Sequence, residues 1–451
     1  MLYRPLLFYW AFTIALWVRM SVGFVTEEIL PPLEVLRSVI ELLTDVTFAV
    51  LGIATLRNKR DIFFFISFIL LAFFSTIVVN RLSFPIFFNG FREFVGLTLA
   101  FPALRYLIAR SPVDGFVDRF DRQLYIFLWV QAFCVTIQFI KYGATDAVGG
   151  SFGYGGSGTV SILIYVISFY LLMRRRVPDS LYLTLWRNKW LIILLYPSFL
   201  NETKISLILL ALYAVLLFPF SARHFWRLLL FSPIIAAGLW GIFNIYARVT
   251  NQTMDRLLSL DFYNAYIMGE DVDRLVDFAI GLQDGEFDDA AILWTEDLPR
   301  IAKIGLAFSA LNTTRGGLWL GAGVGHFKGG TSMGLSQFAK LYNWLLVGTR
   351  PMLFFMFIQL GFLGVIWLIC NLVTSLLLRR NSDERSLNIK LYLAALFAVL
   401  MFYNDSFRFT FFCVLVFYPI LIYSTPSELL VEADDEGEDS GNEADLDRQH
   451  C

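Results

Sequence analysis

"RPMLFFMFIQLGFLGVIWLICNLVTSLLLRR", residues 350 to 380, decides the class of the chain. Between Arg350 and the pair Arg379–Arg380 lie 28 positions without an Asp, Glu, Lys, Arg or His. Roughly 20 apolar residues in a helix cross a hydrocarbon core about 30 Å thick. The stretch therefore predicts a transmembrane helix over 351–378, marked by charge at both ends. The whole chain shares this composition, with 57% hydrophobic residues, 16% charged residues and 46 Phe in 451 positions. A soluble domain has no interior large enough for so much apolar surface. An all-α polytopic membrane protein is expected.

Working outward from 351–378, the same criterion predicts about twelve spans, near 4–23, 36–56, 61–80, 84–107, 123–142, 158–173, 188–200, 204–222, 226–246, 351–378, 389–403 and 408–425. No small-residue cleavage site follows the first span, which is read as an uncleaved helix. Lys and Arg concentrate in "RNKRD" (57–61), Arg105 to Arg122, Arg174 to Lys189, Arg223 with Arg227, and 379–390. All of these loops fall on one side if the N-terminus is cytoplasmic, and cytoplasmic loops are the basic ones. The domain plan is then helices one to nine over 1–246, an extracytoplasmic segment over 247–350, helices ten to twelve over 351–425, and a cytoplasmic tail over 426–451. Within the outer segment, 271–282 and 298–311 have apolar residues at helical spacing, while the glycine-rich 316–334 reads as a loop.

The net charge of −2 hides an asymmetry. Residues 427–451 carry ten acids and one Arg, a net of −9, which leaves +7 for the rest. That tail lacks an apolar period and reads as disordered. Four scattered cysteines and three histidines suggest neither a disulfide framework nor a metal centre.

Charges inside spans are costly and mark candidate functional positions. Arg19, Arg92, Glu93, Lys204, Arg350, Asp405 and Arg408 all fall in the outer half of the predicted membrane region, with Asp45 near its middle. Each also has a plainer reading. Arg92 and Glu93 could pair with each other inside the bundle, Arg19 and Lys204 could snorkel to the interface, Asp405 and Arg408 could cap a hairpin, and Arg350 could mark a boundary. The convergence of cations beside a glycine-rich outer segment suits an anionic ligand, most simply a phosphate or pyrophosphate.

Three stretches give the chain a resemblance to the O-antigen polymerase and ligase superfamily. They are "GGSFGYGGSGTVSILIYV" (149–166), "LNETKISLILLALYAVLLF" (200–218), and "RIAKIGLAFSALNTTRGGLWLGAGVGHF" (300–327) together with "RPMLFFMFIQLGFLG" (350–364). The first resembles the family's glycine-rich outer loop, and the second places Lys204 where relatives usually carry Arg or Lys. In the third, Arg350 and Gly361 stand ten residues apart, similar to the Arg-x10-Gly pattern of the polymerases. Ligases usually have a histidine where Arg350 stands.

The resemblance implies a GT-C-like fold in a bacterial inner membrane with its active site facing the periplasm. The implied activity joins undecaprenyl-diphosphate-linked oligosaccharide repeats into a surface polysaccharide. Its partners would be a lipid-linked donor, a lipid-linked acceptor, membrane lipids and a chain-length regulator, with no nucleic acid and no cofactor. Arg350 would stabilise the leaving diphosphate, with Lys204, Arg92, Arg300, Arg315 and Arg408 as further contacts. Glu296, Asp297 and His326 are candidates for the general base, against a plain solvated role for each. The helix opening at Pro351 would add its N-terminal partial charge. The alternatives are an O-antigen ligase, a metal-dependent transferase using Glu27 and Glu28, and a flippase or transporter of the same lipid. A transporter should show broken helices or repeat symmetry between halves, and neither is visible in the sequence.

Overall fold

The computed structural model describes residues 5–110, 115–145, 147–177, 180–201, 205–217, 300–327, 337–346, 348, 350–378 and 384–424, with isolated positions 233, 240, 241 and 244. The described chain is all-helical, 83% helix without a strand. Lys204, Glu296, Asp297, the predicted helix over 271–282, the span over 226–246 apart from those four positions, and the acidic tail lie outside the described residues.

Six helices are long and apolar enough to cross a membrane: Pro5–Ile29, Lys59–Val79, Phe116–Tyr142, Ser157–Arg174, Met352–Leu376 and Arg385–Tyr403. These correspond to half of the twelve expected spans. Three others are shorter apolar helices, Lys189–Leu200, Ile205–Leu216 and Thr410–Ile422. The remaining two described ones differ for physical reasons. Glu34–Ala54 has the length but carries Glu34, Arg37, Glu41 and Asp45. The predicted span over 84–107 is assembled from α-helical Phe84–Phe91, 3-10 Arg92–Phe94, π-helical Gly96–Ala100 and α-helical Phe101–Arg110.

Glu34–Ala54 runs antiparallel to Pro5–Phe24. Phe12 meets Phe48 edge-on at 5.4 Å, and nearer the connection Arg19 reaches Glu41. Polar connections gather at two opposite ends of the bundle. At one end Arg105 pairs with Asp61, and Arg60 donates to the Asn371 carbonyl and Ser375. At that end too, Arg174 pairs with Asp121, and Lys390 donates to the Leu378 carbonyl. The described basic loops thus share one end, the pattern that separates the two faces of a membrane protein. The other end holds residues 25–33, 143–145, 147–156 and 404–409, and the site lies there.

The helix that opened the sequence reading is not continuous. Met352–Leu376 is interrupted at Gly361, whose φ of 61° and ψ of −158° lie outside helical space. The break leaves carbonyls without helical donors, and in a membrane these must find partners within the protein. The 321–325 segment, "GAGVG", supplies them. Ala322 N–H donates to the Ile358 carbonyl at 2.8 Å and Gly323 N–H to the Gln359 carbonyl at 2.9 Å. Its next two amides are also engaged, Val324 N–H with Thr76 Oγ1 and Gly325 N–H with Gln359 Oε1. The described part of 247–350 shares a core with the same helix. Leu306, Ala307, Ala310 and Leu311 of Arg300–Asn312 pack with Phe354, Phe357 and Ile358.

A cysteine at Tyr154 and one at Arg57 are expected to react with an impermeant thiol reagent from opposite sides of sealed vesicles. The background would have Cys370 and Cys451 replaced by serine. Labelling of both positions from one side would contradict the two-ended arrangement.

Candidate functional site

The site begins with a helical register. On Glu34–Ala54, Arg37, Glu41 and Asp45 are spaced by four residues and lie on one face. Arg19, on the neighbouring helix, faces them, with Nη1 2.8 Å from Glu41 Oε1 and Nε 3.9 Å from Asp45 Oδ1. Arg37 spans from Glu41 at 3.4 Å to Glu27 just beyond the first helix. Asp45 also meets Arg92 Nε at 3.1 Å and accepts from Thr410 Oγ1 at 3.2 Å.

A second group adjoins the first through the 404–409 turn. Asp405 lies between Arg350 Nε at 3.1 Å and Arg408 Nε at 3.3 Å. Arg408 Nη1 stands 3.9 Å from Glu93 Oε1. Arg92 and Glu93 therefore do not pair with each other. Neighbours in this 3-10 turn project about 120° apart, and each finds a different partner. Five arginines and five acids thus form one nearly continuous array in which every acid faces a guanidinium.

One side of the array borders an open cavity of about 300 Å³ lined by Arg19, Arg37, Arg408, Glu41, Tyr154, Thr159, Phe409 and Phe411, among others. Three guanidiniums share its wall with one carboxylate. Asp45, Glu93 and Asp405 stand behind that wall, so the charge presented inward is positive although the array as a whole is balanced. Arg19 is 7% exposed and its Nε has no hydrogen-bond partner. That nitrogen faces Asp45 at 3.9 Å, behind the wall. The helices Ser157–Arg174 and Thr410–Ile422 both begin at the cavity, through Gly155, Gly156 and Thr159 on one and Phe409 and Phe411 on the other. Their N-terminal N–H groups add partial positive charge there.

A glycine-rich loop roofs the cavity. Residues 149–156 settle on the first helix at Gly23, where any Cβ would lie 2.0 Å from the Phe152 carbonyl oxygen. Gln131 and Gln138 hold the loop from below, accepting from Ser151 N–H at 2.9 Å and Gly150 N–H at 2.7 Å.

The predicted site residues separate into those at the array and those away from it. Arg92, Arg350 and Arg408 belong to it, and of these only Arg408 lines the cavity. Arg350 stands behind Asp405 with its guanidinium 4.8 Å from the Phe327 ring centroid. Pro351 occupies the N-cap position and Met352 starts the helix. Arg300 donates to the Tyr403 carbonyl at 3.0 Å and lies over that residue's ring. Arg315 is exposed on the surface. His326 is buried, with Nε2 2.8 Å from the Ala322 carbonyl oxygen and its ring against Phe338. Burial pushes its imidazole down to about 4, so it is neutral near pH 7.

Glu27 and Glu28, the ligands of the metal-dependent alternative, are already engaged. Glu27 binds Arg37 and the Tyr154 N–H, and Glu28 binds Lys141 at 2.8 Å. Among the described residues no group of three His, Cys, Asp or Glu could hold a metal. The sequence reading missed Arg37, Glu41 and Tyr154. The i, i+4, i+8 spacing of Arg37, Glu41 and Asp45 was the available signal for the first two. Against known proteins, no family model matches the chain, and no curated protein or solved structure matches it.

Proposed function

We propose that the chain is a membrane glycosyltransferase that joins lipid-diphosphate-linked oligosaccharide repeats into a polysaccharide, as its resemblance to the O-antigen polymerases implies. The supporting observation is the cavity wall, where three arginines face one carboxylate at the mouths of two helices. A diphosphate is a good leaving group, so the protein has chiefly to stabilise its developing charge and place the acceptor hydroxyl. Arg19, Arg37 and Arg408 are assigned the first task. Arg350 becomes a positioning residue that holds Asp405 and, through it, Arg408. The site faces the periplasm of a bacterial inner membrane in this reading, with the basic end cytoplasmic.

A transporter of the same lipid-linked glycan is the second reading, and the break at Gly361 favours it. Purified protein in proteoliposomes separates the two. Polymer formed from lipid-linked repeats supports the transferase, movement of intact repeats between leaflets supports the transporter, and transfer of finished glycan to a different carrier supports a ligase. Turnover is expected to persist in excess EDTA, because guanidiniums do the electrostatic work. Activity lost to the chelator and restored by magnesium or manganese would replace this mechanism with a metal-dependent one.

A further inference from the structure

We infer that Tyr154 is the platform on which the sugar ring next to the diphosphate stacks, an assignment that rests on the cavity being a diphosphate site. Two aromatic residues of the roof loop take opposite directions. Phe152 turns inward and packs on Phe411 at 4.5 Å and Phe127 at 6.1 Å. Tyr154 turns outward and is 74% exposed, yet it lines the cavity mouth beside Arg37. Phe152 is partly buried and lines the cavity too, so Tyr154 is the ring of the loop left bare at its mouth, an apolar face where the substrate leaves the phosphate pocket.

The backbone beneath that ring is fixed. Gly153 and Gly155 flank Tyr154 with φ of 81° and 74°, a left-handed region that side chains resist. A Cβ at Gly153 would also meet Glu27 Oε2 at 2.3 Å. Glu27 in turn accepts the Tyr154 N–H at 2.5 Å and is held by Arg37. The same arginine that lines the anion cavity therefore braces the tip that carries the ring. An aromatic ring carried on a held backbone gains contact area at small entropic cost, because only two side-chain angles have to settle. A pyranose ring, whose C–H faces are apolar, matches it, and the polar hydroxyl edge of the sugar stays in water.

The test compares three probes on the full chain in nanodiscs: inorganic pyrophosphate, a short-chain polyprenyl diphosphate, and the same lipid carrying one hexose. The hexose should tighten wild-type binding about threefold to tenfold over the bare lipid diphosphate. Tyr154→Ala should erase that increment and leave pyrophosphate and the bare lipid unchanged, while Tyr154→Trp should keep it. The exposed ring makes no core contact, so its removal leaves the fold intact. The assignment is overturned if wild type gains nothing from the hexose, if the gain survives in Tyr154→Ala, or if Tyr154→Ala weakens all three probes equally. Failure of all three to bind wild type would defeat the diphosphate reading itself, and the platform with it.

Discussion

Replacing Gly361 with alanine is expected to remove most folded protein from the membrane. The backbone there lies at φ 61° and ψ −158°, a region essentially reserved for glycine, and forcing another residue into it costs about 1–3 kcal/mol. A methyl group would also sit 2.4 Å from the Trp319 carbonyl carbon and 2.5 Å from the Leu318 oxygen. Both are backbone atoms that cannot rotate away, so overpacking adds about another 1–3 kcal/mol. The sum is a large part of the roughly 5–15 kcal/mol that holds a typical domain together. The break and the "GAGVG" segment that satisfies it should fail together. Gly305→Ala is the matched control, since its Cβ would meet nothing within 4 Å on a helix and alanine there gains up to about 1 kcal/mol. Membrane abundance and thermal midpoint in detergent are the measurements. Equal stability of Gly361→Ala and wild type would refute the broken helix.

That break shows where the sequence stops being legible. Composition identified 351–378 as a membrane helix, but an apolar run carries no signal of a single left-handed residue, and G-x-x-G reads as ordinary helix. The same limit applies to "GAGVG". As a string it suits backbone approaching a sugar or phosphate and a plain turn equally, whereas its described amides are engaged by the helix break and its surroundings. The one-sided distribution of charge was readable because desolvation makes ionisable residues rare in spans. Its neutralisation was not readable, because the partners come from distant positions: Asp45 with Arg92, Glu93 with Arg408, Asp405 with Arg350. Arg37 and Glu41 went unnoticed although they share a helix face with Asp45. Arg300–Asn312 formed as the spacing of its apolar residues predicted. Its docking against Phe357 could not be foreseen from one helix alone.

Arg408→Ala is expected to lower turnover of lipid-linked repeats about 10²- to 10³-fold, the roughly 2–4 kcal/mol carried by a charge-assisted contact to a developing anion. Arg408 lines the cavity but also stands beside buried Glu93, so truncation alone would strand a carboxylate and destabilise the fold. The double variant Arg408→Ala, Glu93→Gln removes both charges. It should recover the thermal midpoint while turnover stays low, which separates catalysis from folding. Lysine distinguishes the two arginines that share Asp405. At Arg408 it keeps the charge but not the planar fork that grips phosphate through two N–H donors, so Arg408→Lys should remain strongly impaired. Arg350 lies behind Asp405, where its charge is what matters, so Arg350→Lys should retain most turnover at matched protein levels. The opposite ranking, with Arg350→Lys crippled and Arg408→Lys near normal, would move the phosphate from the cavity to the mouth of the 352–376 helix.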